Sequence, residues 1–194
     1  PPSAPVPAPP TAAPAFRPVV DPGRELKGAA LIEALKSGGY VLFLRHTETG
    51  NVTAECNVSN LSAKGEQDAK ALGGYLKRAG VPIGPVWSSP LCRIQDTARL
   101  LDVGPFTVTE DLTNRPVDPK FDLPAARAKR IATAPPAGRN TLLVSHMQGG
   151  NHESQYLQLM MGEMIVFRPE GGGATPVARI RLEDWERLLA AAGK

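Results

Sequence analysis

Tyr40-Val41-Leu42-Phe43-Leu44-Arg45-His46 is the stretch on which the fold turns. An apolar run that follows Gly38-Gly39 and ends in a polar segment reads as a buried strand. In an open α/β sheet, ligands gather just beyond the carboxyl ends of the strands. The sequence therefore sets a permanent cation and an imidazole where such a sheet does chemistry. The pattern returns at Thr141-Leu142-Leu143-Val144, which runs into Ser145-His146. A further arginine follows the short apolar segment at Val86-Trp87, in Ser88-Ser89-Pro90-Leu91-Cys92-Arg93.

Working outward, the spacing of Leu26, Ala30, Leu31, Ala34 and Leu35 predicts a helix over residues 21–36, stopped by Gly38. A polar loop is expected over 47–60. Ser62 is the expected cap of a second helix, with Ala69, Leu72, Tyr75 and Leu76 inward and Gly80 at its end. A strand over 86–88 leads into a helix started by Ser89-Pro90, with Ile94, Ala98 and Leu101 inward. Next come a strand over 106–109, a loop over 110–122 and a short helix over 123–131. Strands over 164–168 and 177–182 are joined at Gly171-Gly172-Gly173, and a last helix opens at Glu183-Asp184-Trp185. Strands that alternate with helices predict an α/β fold, a three-layer α/β/α sandwich with a mostly parallel central sheet.

The chain has 194 residues, enough for one domain with its own core, expected over 21–194. Residues 1–20 are mostly Pro and Ala and read as a semi-rigid linker. Such a linker is common behind a removed signal peptide or lipid anchor, which suggests a periplasmic or secreted protein. A formal net charge of +3 and 5% aromatic residues give no nucleic-acid footprint. The densest basic patch, Arg127-Ala128-Lys129-Arg130, reads as a solvated helix face. No apolar stretch approaches membrane-spanning length. Oligomeric state is not encoded in any pattern of the sequence. Cys56 and Cys92 lack CxxC spacing, which argues against a zinc cluster. A structural disulfide between them fits an exported protein; two unpaired thiols, with a cytoplasmic location, are the alternative.

The chemistry that suits these residues is that of a phosphate monoester. A transferred phosphoryl group needs fixed positive donors, an in-line nucleophile and a proton for the leaving oxygen. Arg45 and Arg93 offer planar forks that match phosphate oxygens. His46 can attack as a neutral imidazole, and His146 can donate a hydrogen bond or carry charge. The N-terminus of the helix expected at Pro90 points N–H groups at the same place. Thr47, Asn51 and Asn57 follow the nucleophile and are candidate phosphate or substituent contacts, with turn residues as the plain alternative for the asparagines. His152 reads as structural or rim, and Met147, Met160, Met161 and Met164 as packing.

Four segments in order carry a resemblance to a known family. They are Leu44-Arg45-His46-Thr47-Glu48-Thr49, Leu61-Ser62-Ala63-Lys64-Gly65-Glu66-Gln67-Asp68-Ala69, Ser88-Ser89-Pro90-Leu91-Cys92-Arg93-Ile94-Gln95-Asp96-Thr97-Ala98, and Ser145-His146. Together they resemble the histidine phosphatase superfamily, in its phosphoglycerate mutase-like branch. The resemblance implies a phosphohistidine on His46, a phosphate pocket of Arg45, Arg93 and His146, a small phosphorylated substrate, and no metal or organic cofactor. Thr47 stands where the family often has Gly. Asn114, in Leu112-Thr113-Asn114, stands where many relatives carry a proton-donating Glu. Glu110 and Asp111 are then candidate acids, with Glu48 a further one; otherwise substrates with good leaving groups are implied. Two rival functions follow: a catalytically weak member that binds phosphorylated ligands such as envelope sugars, and a phosphoglycerate mutase-type phosphotransferase.

Overall fold

The computed structural model describes residues 20–52, 56, 59–114, 118, 120–146 and 158–194. The expected linker, apart from Val20, lies outside these residues, as do Asn57, Met147 and His152. Val20 itself is buried.

The central sheet has the order β5-β4-β6-β1-β7-β8. Its strands are β1 (Val41–Arg45), β4 (Ile83–Ser88), β5 (Phe106–Val108), β6 (Asn140–Ser145), β7 (Met164–Glu170) and β8 (Gly173–Ile180). The first four in spatial order are parallel, and β7 and β8 close the sheet antiparallel. β1 and β6 are buried on both faces, which is why they read as continuous apolar runs.

Side chains of β1 alternate between two cores. Leu42 and Leu44 face the larger one, under α1 (Gly28–Ser37), α2 (Ala63–Ala79), α3 (Cys92–Leu101) and α5 (Trp185–Ala191). Val41 and Phe43 face a smaller one with Ile131 of α4 (Leu123–Ala132), Leu143, Ile165 and Phe167. Among the described residues the layers are therefore unequal, with four α-helices on one face and α4 on the other.

Several boundaries differ from expectation. α1 starts at Gly28, because Asp21 accepts from the Gly23 N–H at 2.9 Å in a turn, and the Leu26 N–H donates to the Val177 carbonyl at 2.7 Å. α3 starts at Cys92, two residues after Pro90. The Ser89 N–H still reaches the Val144 carbonyl at 3.2 Å, so the chain leaves the sheet later than the Pro signal suggests. The segment expected as a loop over 47–60 holds a hairpin, β2 (Thr49–Val52) and β3 (Ser59–Leu61). Cys56, between its strands, is joined by a disulfide to Cys92 at the start of α3. β7 and β8 meet in a tight turn where Gly171 and Gly172 have φ of 54° and 111°, as a two-residue hairpin connection demands. Among the described residues no helix is long and apolar enough to cross a membrane.

Candidate active site

β1 and β6 lie side by side in parallel register, Arg45 opposite Ser145. Both strands end at the same edge, so His46 and His146 emerge together. The His46 N–H donates to the Ser145 carbonyl at 3.0 Å, and the two imidazoles meet edge to face with centroids 5.7 Å apart. Arg93 arrives from the first turn of α3, whose preceding strand β4 pairs with β6 on its other side. Arg45, His46 and Arg93 line one cleft of about 430 Å³. Thr49 and Ser59 of the hairpin form a wall, and Val52, Leu91 and Met161 form an apolar rim.

Hydrogen bonds fix the protonation of both histidines. His46 Nδ1 lies 2.8 Å from the Thr47 carbonyl. A carbonyl only accepts, so Nδ1 carries the proton and Nε2 keeps its lone pair. Burial pushes the His46 imidazole down to about 4; the Thr47 carbonyl opposes this, and Arg93 and Arg45 add to it. His146 Nδ1 lies 3.2 Å from Arg93 Nη2, which only donates. Nε2 of His146 therefore carries the proton and donates to Ser89 Oγ at 2.8 Å. Burial, then Arg93, His46, Arg127 and Arg45, push His146 down to about 3. Both imidazoles are neutral near pH 7.

Thr47 is fully buried, and its N–H and hydroxyl both lie 3.4 Å from Thr97 Oγ1. Thr97 in turn donates to the Arg93 carbonyl at 2.7 Å. The structure thus joins the segment after His46 to α3 and places the Thr47 hydroxyl against Thr97. Asn51 is exposed on β2 and is not among the residues that line the cleft. Asn57 lies outside the described residues.

The candidate acids are not brought together with the imidazoles. Glu110 is exposed on a 3-10 turn, Glu110–Leu112. Asp111 is bound by Arg130, whose guanidinium stacks 4.1 Å above the Trp87 ring. The Glu48 carboxylate accepts from Ser62 Oγ at 2.7 Å, and Ser62 Oγ accepts from the Gly65 N–H at 3.0 Å to cap α2. A Cβ on Gly65 would lie 2.0 Å from the Glu48 carbonyl oxygen, so only Gly lets α2 approach the segment behind His46.

Other partners of the site carried less signal. Ser89 and Thr97 sit inside the segment around Arg93, but nothing in the pattern assigned them a role. Arg127 was expected on a solvated face and is instead buried, its Nη2 donating to the Thr113 carbonyl at 2.8 Å. Burial lowers its pKa to about 10, with Asp111 opposing. The Thr113 carbonyl lies next to the Leu112 carbonyl that Ser145 Oγ binds at 2.7 Å, so Arg127 braces the turn beside the end of β6. Met164 packs as expected, whereas Met160 and Met161 are exposed on a turn beside the cleft.

The sequence model of the histidine phosphatase superfamily (branch 1) matches residues 41–119, a span that holds Arg45, His46 and Arg93. Among solved structures, the protein histidine phosphatase SixA complexed with tungstate is similar at a TM-score of 0.57 and 19% identity, over 75% of this chain and 98% of that one. A phosphoserine phosphatase from Entamoeba histolytica in complex with phosphoserine is similar at a TM-score of 0.51 and 15% identity, over 74% of this chain and 98% of that one. No curated protein sequence matches significantly. The part of the chain that is similar to the histidine phosphatase superfamily (branch 1) thus runs from β1 through α3 to residue 119, and β6 delivers His146 to the same edge of the sheet.

Proposed function

We propose that the protein is a phosphatase that works through a phosphohistidine at Nε2 of His46. The observation that carries this reading is the unprotonated Nε2 of a neutral His46, held by the Nδ1–H bond to Thr47 beside Arg45 and Arg93. A phosphoryl group in the cleft meets two guanidinium forks, which stabilise charge on its oxygens in the transition state. The Nε2 lone pair attacks phosphorus as the bond to the leaving oxygen breaks, and that oxygen keeps the electron pair and takes a proton from solvent water. Water then attacks phosphorus, the P–N bond breaks with its electrons returning to Nε2, and inorganic phosphate departs. Neutral His146 orients Arg93 by accepting its Nη2–H at Nδ1.

None of the described residues lining the cleft is acidic. Substrates whose leaving groups depart with little protonation therefore suit the site: aryl phosphates, acyl phosphates and phosphohistidine. The protein histidine phosphatase among the similar folds agrees with that class. The Cys56–Cys92 bridge supports a periplasmic or secreted setting, because disulfides persist in oxidising compartments.

The test is turnover of para-nitrophenyl phosphate with chelator present. Turnover is expected to survive the chelator and to vanish in His46→Ala. Asn114, at the position where the resemblance leads one to expect a proton-donating Glu, favours one rival, a member that binds phosphorylated ligands without cleaving them. Tight phosphate binding with no turnover would establish that rival instead.

A further inference from the structure

Glu163, the residue just before β7, has no solvent exposure. A buried carboxylate is costly unless it is paired and fully hydrogen-bonded. Here Oε1 accepts from Arg179 Nε at 2.5 Å, with Arg181 Nε at 3.6 Å. Oε2 accepts from Arg179 Nη2 at 2.8 Å and from the Met160 N–H at 2.6 Å. The Met160 bond closes a turn on itself, because the Glu163 N–H also donates to the Met160 carbonyl at 3.1 Å. Gly162 takes φ of 75° at the third position of that turn.

The turn is fastened to the catalytic dipeptide. The Gly162 N–H donates to the His46 carbonyl at 3.0 Å, and the Arg45 N–H donates to the Glu163 carbonyl at 3.0 Å. Arg45 Nη1 donates to the Leu159 carbonyl at 2.5 Å, one residue before the turn. Arg179 Nη2 holds the Gln158 carbonyl at 2.8 Å, one residue earlier still. The carboxylate and Arg179 therefore fix the peptide that receives the Arg45 guanidinium.

We infer that Glu163, held by Arg179, is a positioning residue for the phosphate site: it sets the Leu159 carbonyl that aims Arg45 into the cleft. The kinetic arm of this inference rests on the phosphatase reading, whereas phosphate binding does not. Glu163 also favours the charged form of Arg45 against burial.

The experiment measures inorganic phosphate affinity by calorimetry and para-nitrophenyl phosphate kinetics. It compares wild type, Glu163→Gln, Arg45→Ala and the double variant, with thermal melts alongside. Glu163→Gln is expected to weaken phosphate and lower kcat/KM by roughly 10- to 100-fold, the scale of a misplaced binding group. In the Arg45→Ala background the same change is expected to cost less than about twofold, because its target is gone. Equal losses in both backgrounds, or no loss in either, would overturn the inference. If Glu163→Gln fails to fold, Arg179→Lys replaces it under the same criterion, since Lys cannot hold both oxygens and the Gln158 carbonyl in one plane. A wild type that binds phosphate without turnover would refute the phosphatase reading, and the binding arm would still decide this one. A wild type that neither binds nor turns over would overturn both.

Discussion

Gly73 and Gly74 are neighbours in α2, and the same substitution at each is expected to have opposite effects. Gly73 faces α3, where a Cβ would lie 1.9 Å from the Leu101 carbonyl oxygen and 2.7 Å from its carbon. A Cβ makes ordinary contact only beyond 3.4 Å, so Gly73→Ala must drive the two helices apart by about 1–1.5 Å; overpacking of this kind typically costs about 1–3 kcal/mol. A Cβ on Gly74 would meet nothing within 4 Å. There, Ala removes the entropic penalty of a mid-helix glycine and stabilises by about 0.8–1 kcal/mol. The adjacent variants should thus differ by roughly 2–4 kcal/mol. Thermal melts should show Gly74→Ala about 2–4 °C above wild type and Gly73→Ala below it, by roughly 2–12 °C. The same sign for both, or a stabilising Gly73→Ala, would refute the close α2–α3 approach on which the placement of Arg93 depends.

The remaining predictions concern the bridge and the imidazoles. The Cys56–Cys92 disulfide spans 36 residues, and its reduction is expected to lower stability by about 3–4 kcal/mol. A Cys56→Ser, Cys92→Ser protein should melt like the reduced wild type and ignore reductant; unchanged melting on reduction would contradict this. Stability is also expected to fall as pH drops from about 6.5 toward 4. In that window the unfolded histidines take up protons while folded His46 and His146, held at about 4 and about 3, do not. Each contributes a slope of up to about 1.4 kcal/mol per pH unit. Denaturant melts of His146→Asn should show a shallower slope over that window, and an identical slope would contradict the assignment. Activity should likewise persist down to about pH 4 before protonation of His46 removes its lone pair, whereas loss near pH 6.5 would mean an unshifted imidazole.

The fold was legible where burial is uniform. β1 and β6 lie between two cores, so residues 41–44 and 142–144 are all apolar and each run announces itself, along with the polar residues at its end. The β2–β3 hairpin mixes polar and apolar residues, none of them fully buried, and no periodicity separates it from a loop. The four residues read as the phosphate site do come together, because each follows or abuts the carboxyl end of a parallel strand. Their supports were hidden for a physical reason. Glu163 and Arg127 are charged, and sequence alone assigns charge to solvent, whereas both are buried: Arg179 pairs with the Glu163 carboxylate, and the Thr113 carbonyl accepts from Arg127. Asp111 looked available as an acid, yet Arg130 in α4 claims it, a pairing that only the tertiary structure creates.

The most direct test of the account is a rapid acid-free quench of the protein during para-nitrophenyl phosphate turnover, followed by phosphorus NMR and peptide mapping. The account predicts an acid-labile, alkali-stable phosphoramidate on His46, present during turnover and absent in His46→Ala. Turnover that continues in His46→Ala, or proceeds with no phosphoenzyme on His46, would contradict it.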